Sequence, residues 1–180
     1  ESTRVMLLDV AQPSASEQIA EFRFPIYRYA FGGWIDADRY LVARVGEDRS
    51  APAEAMFIAS IGEGTVTEVD LPFYASAATD YAFFDRQSQR HVIQSSGADG
   101  AWVVDLYTLE GDAVASLSGT CAGQSGFDQS ALVRVSGERL MVTCDDPGTV
   151  WMFDTATGDS VGEWDMGDGA ATLAFDHPEG

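Results

Sequence analysis

Short apolar runs alternate along the chain with clusters of turn-forming residues, and almost nowhere do apolar positions recur at helical spacing. The runs fall into four families. One closes on or near an acid or a small residue: Val5-Met6-Leu7-Leu8-Asp9, Met56-Phe57-Ile58-Ala59-Ser60, Trp102-Val103-Val104-Asp105 and Val150-Trp151-Met152-Phe153-Asp154. Its members lie about 45 to 51 positions apart, the period of blade-like repeats. Each leads through a turn to a second run, centred on Phe22, Val69, Leu117 and Trp164. A third family precedes them: Trp34-Ile35-Asp36, Ala82-Phe83-Phe84-Asp85, Leu132-Val133-Arg134-Val135 and Leu173-Ala174-Phe175-Asp176. The fourth opens each time on an arginine: Arg39-Tyr40-Leu41-Val42, Arg90-His91-Val92-Ile93 and Arg139-Leu140-Met141-Val142.

Four strands per unit at this period predict an all-β chain, a β-propeller fragment of four-stranded antiparallel blades. With strands lettered a to d from the axis outward, complete blades are expected at 34–72, 81–119 and 130–167. Partial blades are expected at 1–24, as c and d, and at 170–180, as a single a strand. The b strand that would join the two partial pieces is missing, so 1–180 reads as one propeller domain or a fragment of a longer ring. Open strand edges at both ends would be pairing hazards for the piece alone. No helix longer than one turn is expected. In Asp154-Thr155-Ala156-Thr157-Gly158-Asp159 the glycine can supply a positive φ and the acid can hold turn amides, as a hairpin needs. Ile61-Gly62-Glu63-Gly64-Thr65 is read the same way, and Gly62-x-Gly64 is too short for a dinucleotide fingerprint. Arg39, Arg90 and Arg139 should be equivalent and should pair with nearby acids such as Asp36 and Asp85.

Composition adds exclusions. The 180 residues carry ten cations, all arginine, against 29 carboxylates, for a formal net charge of -19. A nucleic-acid partner is not expected, because the phosphates need an electropositive footprint. Anionic membrane surfaces are disfavoured for the same reason. No apolar run approaches the ~18 residues of a membrane span, and the chain opens on Glu1, so neither membrane insertion nor a signal peptide is expected in it. An apolar fraction of 46% is globular. The absence of lysine is read as codon bias or a high-salt habitat.

Candidate chemistry is sparse. Cys121 falls in a d–a connection and Cys144 at the end of a b strand of the same blade, and these connections emerge on one face. A disulfide is therefore expected, against the alternative of two half-buried thiols in a cytosolic protein; the bond would indicate a periplasmic or secreted address. His91 opens a strand as a packed side chain, and no histidine or cysteine spacing suits zinc or covalent haem. Gly123-Gln124-Ser125-Gly126 has no neighbouring base, and Asp145-Asp146 before Pro147-Gly148 reads as an exposed turn, not a calcium site. Trp34, Trp102, Trp151 and Trp164 all fall on strands, where packing between blades accounts for them. No catalytic residue and no metal site are assigned. The aromatic stretch from Phe24 to Phe31, with Tyr27, Arg28, Tyr29 and Phe31, reads as a d–a loop, and Tyr74 and Phe127 recur at the same point of later blades. Aromatics and arginine there suit a partner-binding rim; aromatic plugs over the blade tops are the alternative.

Several segments in this order resemble YVTN-type propellers, and more narrowly the heavy subunit of quinoprotein amine dehydrogenases. They are Val45-Gly46-Glu47-Asp48-Arg49-Ser50, Glu68-Val69-Asp70-Leu71-Pro72, Trp102-Val103-Val104-Asp105-Leu106 and Ala174-Phe175-Asp176-His177-Pro178. The most specific is Cys121 with Met141-Val142-Thr143-Cys144-Asp145-Asp146, a cysteine pair followed by an acidic turn. The resemblance implies a periplasmic subunit of an oxidoreductase that does no chemistry itself. It would dock a light subunit carrying tryptophan tryptophylquinone, which oxidises a primary amine, with no cofactor in this chain. The other reading is a stand-alone YVTN or WD40-like propeller serving as a protein-binding scaffold; a hydrolase or lyase on the same fold is a distant third.

Overall fold

In the computed structural model, which describes residues 3–8, 18–24, 29–44, 54–75, 81–121, 132–145 and 148–167, every regular element longer than one turn is a strand. An antiparallel pair, β1 (Thr3–Leu8) and β2 (Gln18–Phe24), sets Val5 opposite Phe22. Three four-stranded antiparallel sheets follow, each a meander in chain order. The first holds β3 (Tyr29–Trp34), β4 (Arg39–Arg44), β5 (Ala55–Ser60) and β6 (Thr65–Val69). The second holds β7 (Tyr81–Asp85), β8 (Arg90–Ser96), β9 (Ala101–Tyr107) and β10 (Ala113–Thr120). The third holds β11 (Leu132–Ser136), β12 (Arg139–Asp145), β13 (Gly148–Asp154) and β14 (Ser160–Asp165). Single 3-10 turns lie at Pro72–Ala75 and Ala98–Gly100.

The second and third sheets fall where the repeat put them, within about two residues. The first does not. Its opening strand ends at Trp34, and Ile35 and Asp36 form the turn after it. The pairing of β3 with β4 slips between Tyr29 and Gly32, a local irregularity that an alternation count cannot register. Tyr29 and Phe31 therefore belong to a strand and not to a connecting loop. The a strand expected at Leu173–Asp176, within 170–180, lies outside the described residues.

By internal contacts the chain divides into two compact units, Glu1–Ala77 and Ala78–Gly180. In the first, Val42, Phe57 and Ala59 form a small core with Tyr40 and Val66 against it. In the second, β9 alternates in burial, with Trp102, Val104 and Leu106 inward, as the two-residue period of a strand requires. Those side chains, with Val92 and Leu117, pack against Val133, Val142, Cys144 and Phe153 of the neighbouring sheet in one cluster. Trp102 meets Trp151 at 5.4 Å and Phe153 at 6.3 Å between ring centroids. The packing expected of tryptophans between sheets holds for this pair. Trp34 and Trp164 are 38% and 45% exposed.

Carboxylates organise the turns. Asp36 Oδ1 accepts from the backbone N–H groups of Asp38 and Arg39, both at 2.8 Å, and its Oδ2 takes Arg39 Nε at 2.7 Å. The Asp38 backbone N–H, then the Arg39 guanidinium, hold the Asp36 carboxyl below its ordinary pKa. The Asp38 carboxylate bridges to the far hairpin through Ser60 Oγ (2.7 Å) and Gly62 N (2.6 Å). Asp154 accepts from Ala156 N (2.8 Å) and Thr157 N (3.2 Å) and pairs with Arg139 at 2.7 Å, while Gly158 takes φ +77. Arg39, Arg90 and Arg139 each open the second strand of a sheet, as the repeat requires. Two of the three pair with an acid that closes a nearby strand or turn, as expected, and Arg90 does not. Only Arg39 binds the acid of the preceding turn; Arg139 binds Asp154 across the sheet. Arg90 donates to the carbonyl oxygens of Thr155 (3.3 Å) and Gln89 (3.2 Å), while Asp85 is taken by Ser88.

Candidate functional site

The strand register places one end of every sheet at the same kind of rim, where the second strand ends, the third begins and the fourth passes to the next sheet. Two features sit there. In the second unit Cys121 directly follows β10 and Cys144 is the penultimate residue of β12. The two form a disulfide across a Cα–Cα distance of 5.5 Å, inside the span such a bond needs. Both are buried in the core cluster. Around the bond, Cys121 N donates to Gly100 O at 2.9 Å. Gly100 has φ +75 and lies so close to the Cys121 carbonyl that a Cβ would collide with it. The sequence expectation for this pair holds, because both residues fall at one end of paired sheets.

In the first unit the corresponding end of the sheet is open among the described residues. A cavity of about 430 Å³ lies between the start of β5 and the segment that leaves β6, lined by Glu54, Ala55, Met56, Glu68, Val69, Asp70, Leu71, Pro72 and Tyr74. Met56, Leu71 and Tyr74 are buried, whereas Glu54, Glu68 and Asp70 are exposed. Pairing sets Met56 opposite Val69 and Phe57 opposite Glu68, so Glu68 lies on the other face of the β5–β6 pair from Met56. Arg44 Nε stands 3.1 Å from Glu54 at the end of β4. Burial pushes the Tyr74 phenol well above its ordinary pKa, and its ring lies 5.1 Å from that of Phe73.

Register explains why the two rims differ. Five residues beyond each opening arginine, Arg44 faces Ala55, Ser95 faces Val103 and Cys144 faces Thr149. The residue before each partner is Glu54, Trp102 or Gly148. In the second sheet Trp102 lies over Gly119, its cross-strand neighbour, so tightly that a Cβ on Gly119 would strike the indole. The indole Nε1 is buried without a hydrogen-bond partner, a penalty that its packing outweighs. In the third sheet Met166 N donates to Gly148 O at 2.6 Å and Gly148 N to Gly167 O at 3.1 Å, so backbone closes the position. Glu54 neither plugs nor closes it.

Of the residues singled out from sequence, Tyr74 lines this cavity, as part of its buried floor. Tyr29 and Phe31 are on β3, and Tyr27, Arg28 and Phe127 lie outside the described residues. Sequence reading passed over Glu54, Glu68 and Asp70, since isolated acids in an acidic chain carry no signal. Alignment on the arginines would not have paired Glu54 with Trp102, because the connection between the second and third strands differs in length; only the strand register shows the correspondence. His91 is sealed: it is 0% exposed, its Nε2 lies 3.2 Å from Leu109 O and its ring packs on Phe84 at 4.9 Å. Burial lowers its pKa to about 4 against the opposing pull of Leu109 O and Glu110. Among the described residues no group of three His, Cys, Asp or Glu side chains is placed to hold a metal ion. No helix among them is long and apolar enough to cross a membrane.

No protein-family model and no curated protein matches the chain. Solved structures do resemble it. A crystal structure of a eukaryotic initiation factor matches with a TM-score of 0.53 at 9% identity, over 96% of this chain and 44% of that one. The computationally designed Ika8 protein matches with a TM-score of 0.46 at 15% identity, over 91% of this chain and 45% of its own. Kluyveromyces lactis Hsv2 matches with a TM-score of 0.36 at 12% identity, over 88% and 57%. The initiation-factor likeness concerns the fold alone, and the other two carry no argument. The chain spans less than half the length of that initiation-factor structure.

Proposed function

We propose that the chain is part of a β-propeller that binds a partner protein at its connection-rich rim and does no chemistry of its own. The observation that carries this reading is the repeat of four-stranded meanders, each opened on its second strand by an arginine, with Trp102 of one sheet packed on Trp151 (tilted) and Phe153 (edge-on) of the next. Sheets that stack in this way bury one face on their neighbour and leave the connections free for binding. Catalysis is given no residue: His91, the histidine within the described strands, is enclosed. Two experiments test this. A crystal structure of the full-length product should show the sheets arranged radially, and an open sandwich would remove the propeller reading. A binding isotherm with a purified partner should weaken when rim residues change and stay constant when residues of the opposite turns do.

The Cys121–Cys144 bond favours a narrower form of the proposal. It joins the segment after one outer strand to the second strand of the next sheet, at the place where the resemblance to amine dehydrogenase heavy subunits puts its cysteine pair. A disulfide there is compatible with a periplasmic or secreted address. On this reading the partner is a light subunit carrying tryptophan tryptophylquinone. Amine-dependent dye reduction by the full-length protein co-expressed with such a light subunit, and its absence with either alone, would support it; a full-length gene without a light-subunit neighbour would count against it.

A further inference from the structure

Among the described residues, three large apolar side chains left in water fall on or just after one strand. Val161 (48% exposed), Trp164 (45%) and Met166 (55%) belong to β14, the outer strand of the third sheet, and the residue that follows it. The second sheet shows what such positions meet when they are covered. Leu117 faces Val104, which faces Gln94, four residues beyond Arg90; Trp164 faces Val150, which faces Thr143, four residues beyond Arg139. Both outer strands slip in register at the same point, over Val114 and Val161. Val161 and Trp164 therefore stand where Val114 and Leu117 do. In the second sheet that face is covered by the third: Leu117 is buried, and Val114 and Ala115 pack on the shared core. The turn between β13 and β14 lies so close that a Cβ on Gly158 would strike the Ala115 methyl and touch Leu117. On the third sheet the same face is closed over β12 and β13, where Met141, Thr143 and Val150 are buried, and bare along β14. There the Trp164 indole folds onto Gly162, the counterpart of Ala115, and leaves no room for a Cβ.

We infer that the bare face of β14 is the seat of a further sheet of the same repeat, and that the piece which covers it is the turn between that sheet's third and fourth strands. The contact already made between the second and third sheets is the precedent, since there the Gly158 turn covers the corresponding outer strand. This turn carries a glycine of positive φ in each of the three sheets, Gly64, Gly111 and Gly158, and the covering turn should carry one too. Glu163 and Asp165 face Trp151 and Thr149, so the acids of β14 lie on its opposite face and the seat itself is apolar. A charged segment would be desolvated against Trp164 and Met166 with no partner on that face. A second copy of the chain would bring a further formal charge of -19 against the first. The inference rests on the propeller reading above, in which successive sheets present the same face to their successors.

The test is hydroxyl-radical footprinting, read by peptide mass spectrometry, of the 180-residue chain and of the full-length gene product. Oxidation of Trp164 and Met166 should be fast in the first and about tenfold slower in the second, approaching the rate of the buried Trp102. Val161→Ser with Trp164→Ser should lower the thermal midpoint of the full-length product about twice as far as that of the 180-residue chain, where nearly half of each side chain is already in water. Undiminished oxidation of Trp164 in the full-length product would overturn the inference, and so would a product that ends without a further strand pair. Protection that arises only when a purified partner protein is added would also overturn it, and would assign the face to that partner. A crystal structure of the full-length product keeps the two readings apart. Radial sheets with Trp164 bare would refute this inference alone, whereas an open sandwich would remove the propeller reading whatever covers Trp164.

Discussion

Opening the Cys121–Cys144 bond should destabilise the second unit by about 3 kcal/mol, chiefly through the unfolded chain. The bonded residues are 23 apart in sequence. In the chain-entropy treatment the freedom that the cross-link removes from the unfolded state grows with the logarithm of loop length and comes to about 3 kcal/mol here. Both cysteines are buried beside Trp102 and Val142, so the choice of variant matters. Serines would bury hydroxyls, and alanines would leave a small void costing about 1 kcal/mol more. Reduction leaves the atoms in place and isolates the loop contribution. Equilibrium urea unfolding followed by tryptophan fluorescence suits the question, because Trp102 and Trp151 lie 5.4 Å apart in the same core. Three samples are compared: oxidised, reduced with a phosphine, and Cys121→Ala/Cys144→Ala. Reduction should lower the unfolding free energy by about 3 kcal/mol and raise the denaturant slope, since the unlinked unfolded chain exposes more surface. A loss below about 1 kcal/mol would falsify the loop-entropy reasoning. A full loss with an unchanged slope would place the effect in the native state instead.

Three further outcomes are expected. His91 has a folded pKa of about 4, below its ordinary 6.5, so the unfolded chain binds more protons between those values. Its contribution is whole above pH 6.5 and is lost as pH falls towards 4, about 3 kcal/mol in all. His91→Gln should flatten that window of a stability profile, and a variant profile parallel to the native one would refute the assignment. Gly119→Ala should cost about 1–3 kcal/mol by driving a methyl into the Trp102 indole, whereas Gly64→Ala should cost about 1 kcal/mol through its φ of +64 alone, with open space around it. Adding Trp102→Leu should recover part of the first loss and none of the second, and independent effects in both pairs would deny the contact. Asp154→Ala should lower the thermal midpoint more than Arg139→Ala, because it strips an acceptor from two turn amides as well as from the arginine; the reverse order would make the ion pair, and not the turn, the source.

Much of the architecture was present in the sequence because strand pairing and turn chemistry leave local marks. The arginines at 39, 90 and 139, the alternation through Trp102, Val104 and Leu106 and the glycine at 158 each report on their own few residues, and each fell where the pattern put it. The cysteine pairing was legible for a related reason. Once strand order is fixed, the end of a sheet at which a connection emerges is fixed with it. The first sheet was misread at its opening strand, since the slipped pairing between Tyr29 and Gly32 breaks the alternation. Partners of the arginines were not legible beyond Arg39, whose acid sits three residues away. Arg139 and Asp154 meet only because β12 and β13 align in register, and Arg90 reaches Thr155 only because two sheets stack. The cavity of the first unit belongs wholly to this second class. Met56, Leu71 and Tyr74 line one cavity only because β5 and β6 pair. Local sequence sets which residues form strands and turns, because those preferences act over a few bonds; tertiary structure alone decides which distant side chains share a space.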